Sequence, residues 1–317
     1  MSRYIFRRLL MLVPVVLGVA LFIFAVMDFT PGDPAVMILG EGATEAEYSA
    51  LHAKLGLNDP LLVRYARYIW NALHGDFGVS YRTGLPVFQE IASRLPYTFV
   101  LAVVSTIIAV TIGLPVGVFS AVKQYSLSDN FALGCALLLT SMPTFWLAMM
   151  LVLGFSLKMR WLPAMGVTGW KNFILPAIAT ASSSTASLLR MTRSTMLEVI
   201  RQDYIRTARA KGAKESRVIF DHALRNALLP VVTLIGVNFG VALGGTIVIE
   251  QVFAIPGLGQ LMVNAIRTKD TPMVIASLLF TAVIASLINL LVDILYAYID
   301  PRLRAKFTVA KKRKVSA

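Results

Sequence analysis

Charge is scarce in this chain. Only 15% of its 317 residues are Asp, Glu, Lys or Arg, while 57% are hydrophobic. A soluble domain carries about 25% charged residues, so most of this sequence is not built to meet water. Several stretches run for about 20 residues almost without charge, the length a bilayer core requires. Cysteine is nearly absent: Cys135 stands alone in an apolar run, which excludes an intrachain disulfide and leaves packing as its role. Histidine is limited to His52, His74 and His222, too far apart to show metal-ligand spacing. The phosphate-binding pattern G-x-x-x-x-G-K-S/T does not occur, so any ATP consumed in this protein's work must be bound by another chain. No nucleophile–base pair stands out and no His, Asp or Glu cluster falls in an apolar run. The chain reads as non-catalytic, with no cofactor of its own.

What is present is a series of long apolar segments. The first, Leu9–Met27, follows Arg3, Arg7 and Arg8; its core is too long for a signal peptide and no small-residue cleavage site follows. It stops at Thr30-Pro31-Gly32-Asp33-Pro34, where helix continuation is forbidden. Residues 30–95 are mixed and polar, with helical patterns over Glu45–Leu55 and Leu61–Leu73 and a glycine-rich stretch over Gly75–Pro86. That length suggests a water-exposed region rather than a simple connection. Five more spans follow: Tyr97–Val122, expected to kink near Gly113, Pro115 and Gly117; Phe131–Leu157, containing Pro143; Phe173–Leu189; Leu228–Ile249; and Pro272–Ile299. The expectation is an all-α membrane protein with six transmembrane helices. Its parts are a cytoplasmic N-terminus with helix 1 (1–29), an extracytoplasmic region (30–95), a five-helix core (96–300) and a basic cytoplasmic tail (301–317).

Lys and Arg set the orientation. With the N-terminus in the cytoplasm, 20 of the 30 basic residues fall on the inner side, chiefly in segment 190–226 and the tail. Half of the remaining ten lie in the long 30–96 segment, which the positive-inside rule discounts. Both termini are therefore expected in the cytoplasm. The net charge of +13 becomes a basic inner face held near anionic lipid, with no need of nucleic acid.

Polar groups inside the spans are the next candidates. The fourth span holds Thr180, Ser182, Ser183, Ser184, Thr185 and Ser187, which suit a protein neighbour or a water-filled path. Hydroxyls that bond their own helix carbonyls are the alternative. Ser182, Ser183, Thr185, Asn238 and Asp293 are candidate pathway-lining residues; for Asp293 the competing reading is a structural ion pair. Glu250, where the fifth span meets the outer side, reads as rim charge. Gly236, Gly240 and Gly244 form a small-residue stripe fit for close helix packing, within the chain or toward a partner.

Segment 190–228 is the most informative. Met196, Leu197, Ile200, Tyr204 and Ala208 recur at helical spacing, with charged residues elsewhere around the helix. Gly212 interrupts, preceded by Arg209 and Lys211 as a helix C-terminus prefers. A second amphipathic stretch follows, carrying Val218, Ile219, Ala223 and Leu224. The result is a bent protrusion between the fourth and fifth spans, suited to a groove on a soluble partner. A hairpin lying on the membrane surface is the plain alternative.

At these residues the sequence resembles a known family. Asp203-Tyr204-Ile205-Arg206-Thr207-Ala208-Arg209-Ala210-Lys211-Gly212, continued by His222-Ala223-Leu224-Arg225-Asn226-Ala227-Leu228-Leu229-Pro230, is similar to the coupling loop of ABC importer permeases, most closely the dipeptide/oligopeptide/nickel group. Pro31-Gly32-Asp33-Pro34, Gly75-Asp76-Phe77-Gly78-Val79-Ser80, Pro256-Gly257-Leu258-Gly259, Asn289-Leu290-Leu291-Val292-Asp293 and Asp300-Pro301-Arg302 match the same group in order. The general permease signature has Glu-Ala-Ala six residues before the glycine and Leu-Pro thirteen after it. Here those positions read Arg206-Thr207-Ala208 and Leu224-Arg225, resembling the first of the two unlike permeases of peptide systems.

The resemblance implies a type I ABC importer permease fold in the bacterial cytoplasmic membrane. It implies a second homologous permease, two ATP-binding subunits that carry the ATP and magnesium, and an extracytoplasmic substrate-binding protein. Asp203, Tyr204, Arg206, Ala208, Arg209, Lys211 and Gly212 become the residues that couple to the ATPase. Peptides are the favoured cargo. Trp161-Leu162-Pro163-Ala164-Met165-Gly166 resembles the nickel branch, so nickel or a metal chelate stays open, as does an ATP-independent secondary transporter.

Overall fold

A computed structural model describes residues 2–30, 33–40 and 42–299. Pro31-Gly32, Asp300-Pro301-Arg302 and the basic tail lie outside the described residues, as does the side chain of Asp293. The described chain is helical, with a single bridge pairing Val79 with Pro86.

The first span is α1 (Ser2–Phe29). Asp33 then starts α2 (Pro34–Leu39): its carboxylate accepts from Ala35 N at 2.8 Å, and proline, which lacks an N–H, fits the first helical position. α3 (Glu45–Leu55) opens with a capping box in which Thr44 and Glu47 satisfy each other's backbone N–H, and it ends at Gly56 in left-handed geometry. α4 (Leu61–Leu73) completes the segment. α3 and α4 coincide with the two helical patterns legible in the sequence.

This segment does more than connect. Tyr65 and Tyr68 of α4 pack against Phe24 of α1, and the Tyr65 hydroxyl donates to Leu17 O at 3.0 Å. Phe77, from the Gly75–Ser80 motif, packs on Phe88 and Phe280. Ser80 donates to the buried carboxylate of Asp270. Residues 61–80 thus tie the first, second and last spans together around an apolar cluster that includes Ala20, Val87, Ile91, Met273 and Ile275.

The second span lies in α5 (Val87–Val122), 36 residues that stay helical through Pro96 and Pro115. At Gly113 and Gly117 it makes a close contact. A Cβ on Gly113 would stand 2.8 Å from Thr185 O, and one on Gly117 2.7 Å from Leu189 O. Bare glycine lets α5 lie backbone-close on α8 (Ile174–Ile200).

Between these two the third span breaks. α6 (Leu127–Ser141) and α7 (Thr144–Leu151), the latter extended by a π-helical turn over Val152–Lys158, meet at 102° around Met142–Pro143. Pro143 therefore ends one helix and begins another, where the sequence suggested a single span. By length and composition α1, α5, the Glu215–Gly244 stretch and α14 (Thr271–Ile299) can each cross a membrane, and the α6–α7 pair makes a fifth. α8 is long enough at 27 residues, but its hydroxyl-rich sequence keeps it out of that set. It is covered by protein instead, packed on α5, α6, α7 and on α11 (Arg225–Gly245). The chain is a multi-pass membrane protein with α8 at its centre.

Beyond α11 come α12 (Ile247–Val252) and α13 (Leu258–Arg267). Gly236 of α11 faces α14: its missing Cβ would fall 2.1 Å from the Val292 side chain. Gly240 and Gly244 face Asn289 and Thr281 of the same helix at 3.7 and 3.6 Å. The stripe packs within the chain.

Candidate functional site

The protrusion between α8 and α11 is built from α9 (Asp203–Ala210), a turn through Gly212, and α10 (Glu215–Arg217), followed by a π-helical segment, Val218–Leu224, that runs into α11. The geometry departs from the sequence reading in two ways. The fourth span does not stop at Leu189 but continues to Ile200, and the helical pattern from Met196 to Ala208 is broken at Arg201-Gln202. The second stretch is no separate helix; it is the leading end of the fifth span.

The elbow has a buried root and an exposed tip. Ile205, Met196, Val218 and Ala223 are fully buried, and Ile219 nearly so, against Val118 and Ala121 at the end of α5. Ala208 leans on the same cluster. Asp203, Arg206, Arg209, Lys211 and Gly212 are exposed, as are the aromatic rings of Tyr204 and Phe220. Burying several apolar side chains at roughly 1.5–3 kcal/mol each holds the root firmly, while the charges at the tip stay exposed.

Two polar devices shape the tip. Gly212 has φ +79°, a left-handed conformation that L side chains rarely adopt, with open space around it. Across that turn Arg209 grips Glu215 through Nε and Nη2, at 3.1 and 2.6 Å. Asn226 of α11 donates to the Tyr204 hydroxyl at 3.1 Å. Arg209 and Tyr204 therefore position the elbow as well as decorate it.

A buried ion pair anchors the helices beneath. Asp129 is fully buried and accepts from Arg193 Nε and Nη2 at 2.7 and 2.8 Å, from Tyr125 N at 2.8 Å, and from Ser120. It ties the α5–α6 turn to α8 next to the elbow. Sequence reasoning missed this pair because its members are 64 residues apart. The available signal was that each is a charge beside an apolar run, which calls for a partner.

The remaining candidates separate. Ser182 and Thr185 are buried, and their hydroxyls bond Ala179 O and Ala181 O of their own helix, each at 2.8 Å. That is the alternative considered for them above. Ser183 and Asn238 keep partial exposure, and Asn238 Nδ2 is buried with no partner among the described residues.

Glu250 is not rim charge; it is fully buried. It accepts from Thr98 Oγ1 (2.7 Å), Thr246 Oγ1 (3.0 Å) and Gln260 N (2.9 Å), while Thr98 in turn accepts from Leu258 N at 2.8 Å. A Cβ on Gly257 or Gly259 would stand 2.4 or 2.9 Å from this carboxylate. The Pro256–Gly259 motif is a turn shaped to wrap Glu250, which caps the start of α13. The sequence placed Glu250 at the surface because it adjoins a loop; that the loop folds back over it is a tertiary fact.

The class of protein emerges first from shape. A subunit of the MetNI methionine ABC transporter, solved in inward-facing form, superposes with a TM-score of 0.58 at 19% identity, over 67% of this chain and 97% of its own. The fold is that of a type I ABC importer permease. Sequence comparison gives the family. Residues 113–305 match the binding-protein-dependent transport system inner membrane component, and residues 1–102 match its N-terminal membrane component; the chain belongs to this family. The oligopeptide transport system permease protein AppB of Bacillus subtilis is 43% identical over 96% of this chain and 99% of its own length. The dipeptide transport system permease protein DppB of Escherichia coli K12 is 41% identical over 96% and 100%.

Proposed function

We propose that this chain is the first of two unlike permeases in a peptide-importing ABC transporter of the cytoplasmic membrane. Near full-length similarity to oligopeptide and dipeptide permeases supports the cargo. The observation that carries the mechanism is the elbow, rooted in the bundle and bearing exposed Arg206 and Lys211 at its tip. In this reading both termini and the elbow face the cytoplasm. Each of two ATPase subunits, which supply the ATP and magnesium, takes an elbow into a surface groove. A binding protein docks outside on residues 30–95 and on the turn capped by Glu250. The path lies between this chain and the second permease, with Ser183 and Asn238 as its contributors.

Coupling is differential docking: the elbow transmits work only if it stays bound while the two pore states differ in energy. The test is uptake of a labelled dipeptide, with labelled nickel in parallel, into proteoliposomes holding the complete set of subunits and binding protein. Dipeptide uptake is expected to require ATP and all partners. Charge reversal at Arg206 and Lys211 should abolish uptake while ATP hydrolysis continues. Transport by this chain alone, unchanged uptake by the reversed variant, or nickel as the sole cargo would refute the corresponding part.

A further inference from the structure

A cavity of about 370 Å³ lies where the end of α1 meets α4 and the start of α14. Most of its charges are already matched. Arg64 pairs with Asp28, His52 with Asp33 at 2.8 Å, and Arg67 with Asp59 at 2.6 Å. Lys269 is different: among the described residues no carboxylate lies within 4.0 Å of it, and its amine makes one hydrogen bond, to Thr30 O at 3.2 Å. Two more donors are left over. Arg64 Nε and the Tyr68 hydroxyl are buried and have no hydrogen-bond partner among the described residues.

Around one cavity an N–H and an O–H thus have no partner among the described residues, and an ammonium that bonds only Thr30 O has donors to spare. A cation would meet Lys269, Arg64 and Arg67. An oxyanion would meet donors, and it accepts several at once through charge-assisted bonds. We infer that this cavity binds an oxyanion group, either the phosphodiester of a membrane phospholipid or the carboxylate of a free peptide. Lys269, Arg64 Nε and the Tyr68 hydroxyl are its donors. The inference does not depend on the cargo proposed above.

Two probes separate the sources: short-chain phosphatidylglycerol and L-alanyl-L-alanine, each titrated calorimetrically into the delipidated complete importer. Tyr68→Phe and Lys269→Gln both leave the Arg64–Asp28 pair intact. One probe is expected to bind, and each variant should weaken it roughly ten-fold, the worth of one charge-assisted bond. Tyr68→Phe should unfold at the wild-type temperature or above, since it deletes a hydroxyl that pairs with nothing; if it fails to fold, Lys269→Gln carries the test alone. Binding of phosphatidylglycerol makes this a lipid site, and binding of the dipeptide makes it a substrate subsite. Binding of neither, or binding that both variants leave unchanged, overturns the inference.

Discussion

Removing one member of the Asp129–Arg193 pair should cost far more than its worth as a bond. Asp129 has no solvent contact, and Arg193 supplies two of its four hydrogen bonds. In Arg193→Met the carboxylate keeps only Ser120 and Tyr125 N as donors and loses its cation. In Asp129→Ala the guanidinium is left with its charge unanswered. Either change should destabilise the chain by about 3–5 kcal/mol, because an orphaned buried charge cannot regain water. The double variant removes both charges and loses chiefly the Ser120 and Tyr125 bonds. Its cost should fall below the sum of the singles by at least about 2 kcal/mol, as for a tightly coupled pair. Unfolding in mixed dodecyl sulfate micelles, followed by tryptophan fluorescence of the purified importer, gives all four corners of this cycle. Additive losses would refute the reasoning, since they would mean that each charge finds other partners.

Further outcomes follow from other sites. Gly212→Val forces a β-branched residue into left-handed geometry at about 1–2 kcal/mol; substrate-stimulated ATP hydrolysis should fall while assembly persists, and wild-type stimulation would contradict the positioning role of that turn. Gly117→Leu drives a side chain into Leu189 O and Thr192, at about 1–3 kcal/mol or more; lowered thermal stability of the complex checks it. Glu250→Gln turns an amide donor toward Gln260 N or toward Thr98, at about 1–3 kcal/mol; the Phe253–Leu258 turn should become open to added protease, and unchanged resistance would count against the cap.

What could be read from the sequence was whatever short-range chemistry decides. α3 and α4 were legible because Thr44, Glu47 and Gly56 mark the limits of one and an apolar period marks the other. The elbow was legible as a place, through Gly212 and its basic residues, but not as a shape. The break at Arg201-Gln202 lies inside an unbroken helical period, so only docking of Ile205 under α5 determines it. Gly113 and Gly117 were visible but read for bending, because a close approach cannot be told from a kink until the second helix is in place. Asp129–Arg193 and Glu250–Thr98 join residues 64 and 152 positions apart, beyond the reach of any local pattern.

The two roots of the elbow are mechanically unlike. On the α8 side, Arg201-Gln202 forms a joint before α9 begins. On the other side helix runs from Glu215 to Gly244 without interruption, 30 residues or about 45 Å. A torque applied near Lys214 is absorbed at the first root and delivered along the second, as by a crank fixed to one shaft and swivelling on the other. Displacement at the membrane's far edge should therefore be sought first where that shaft ends, at the start of α12.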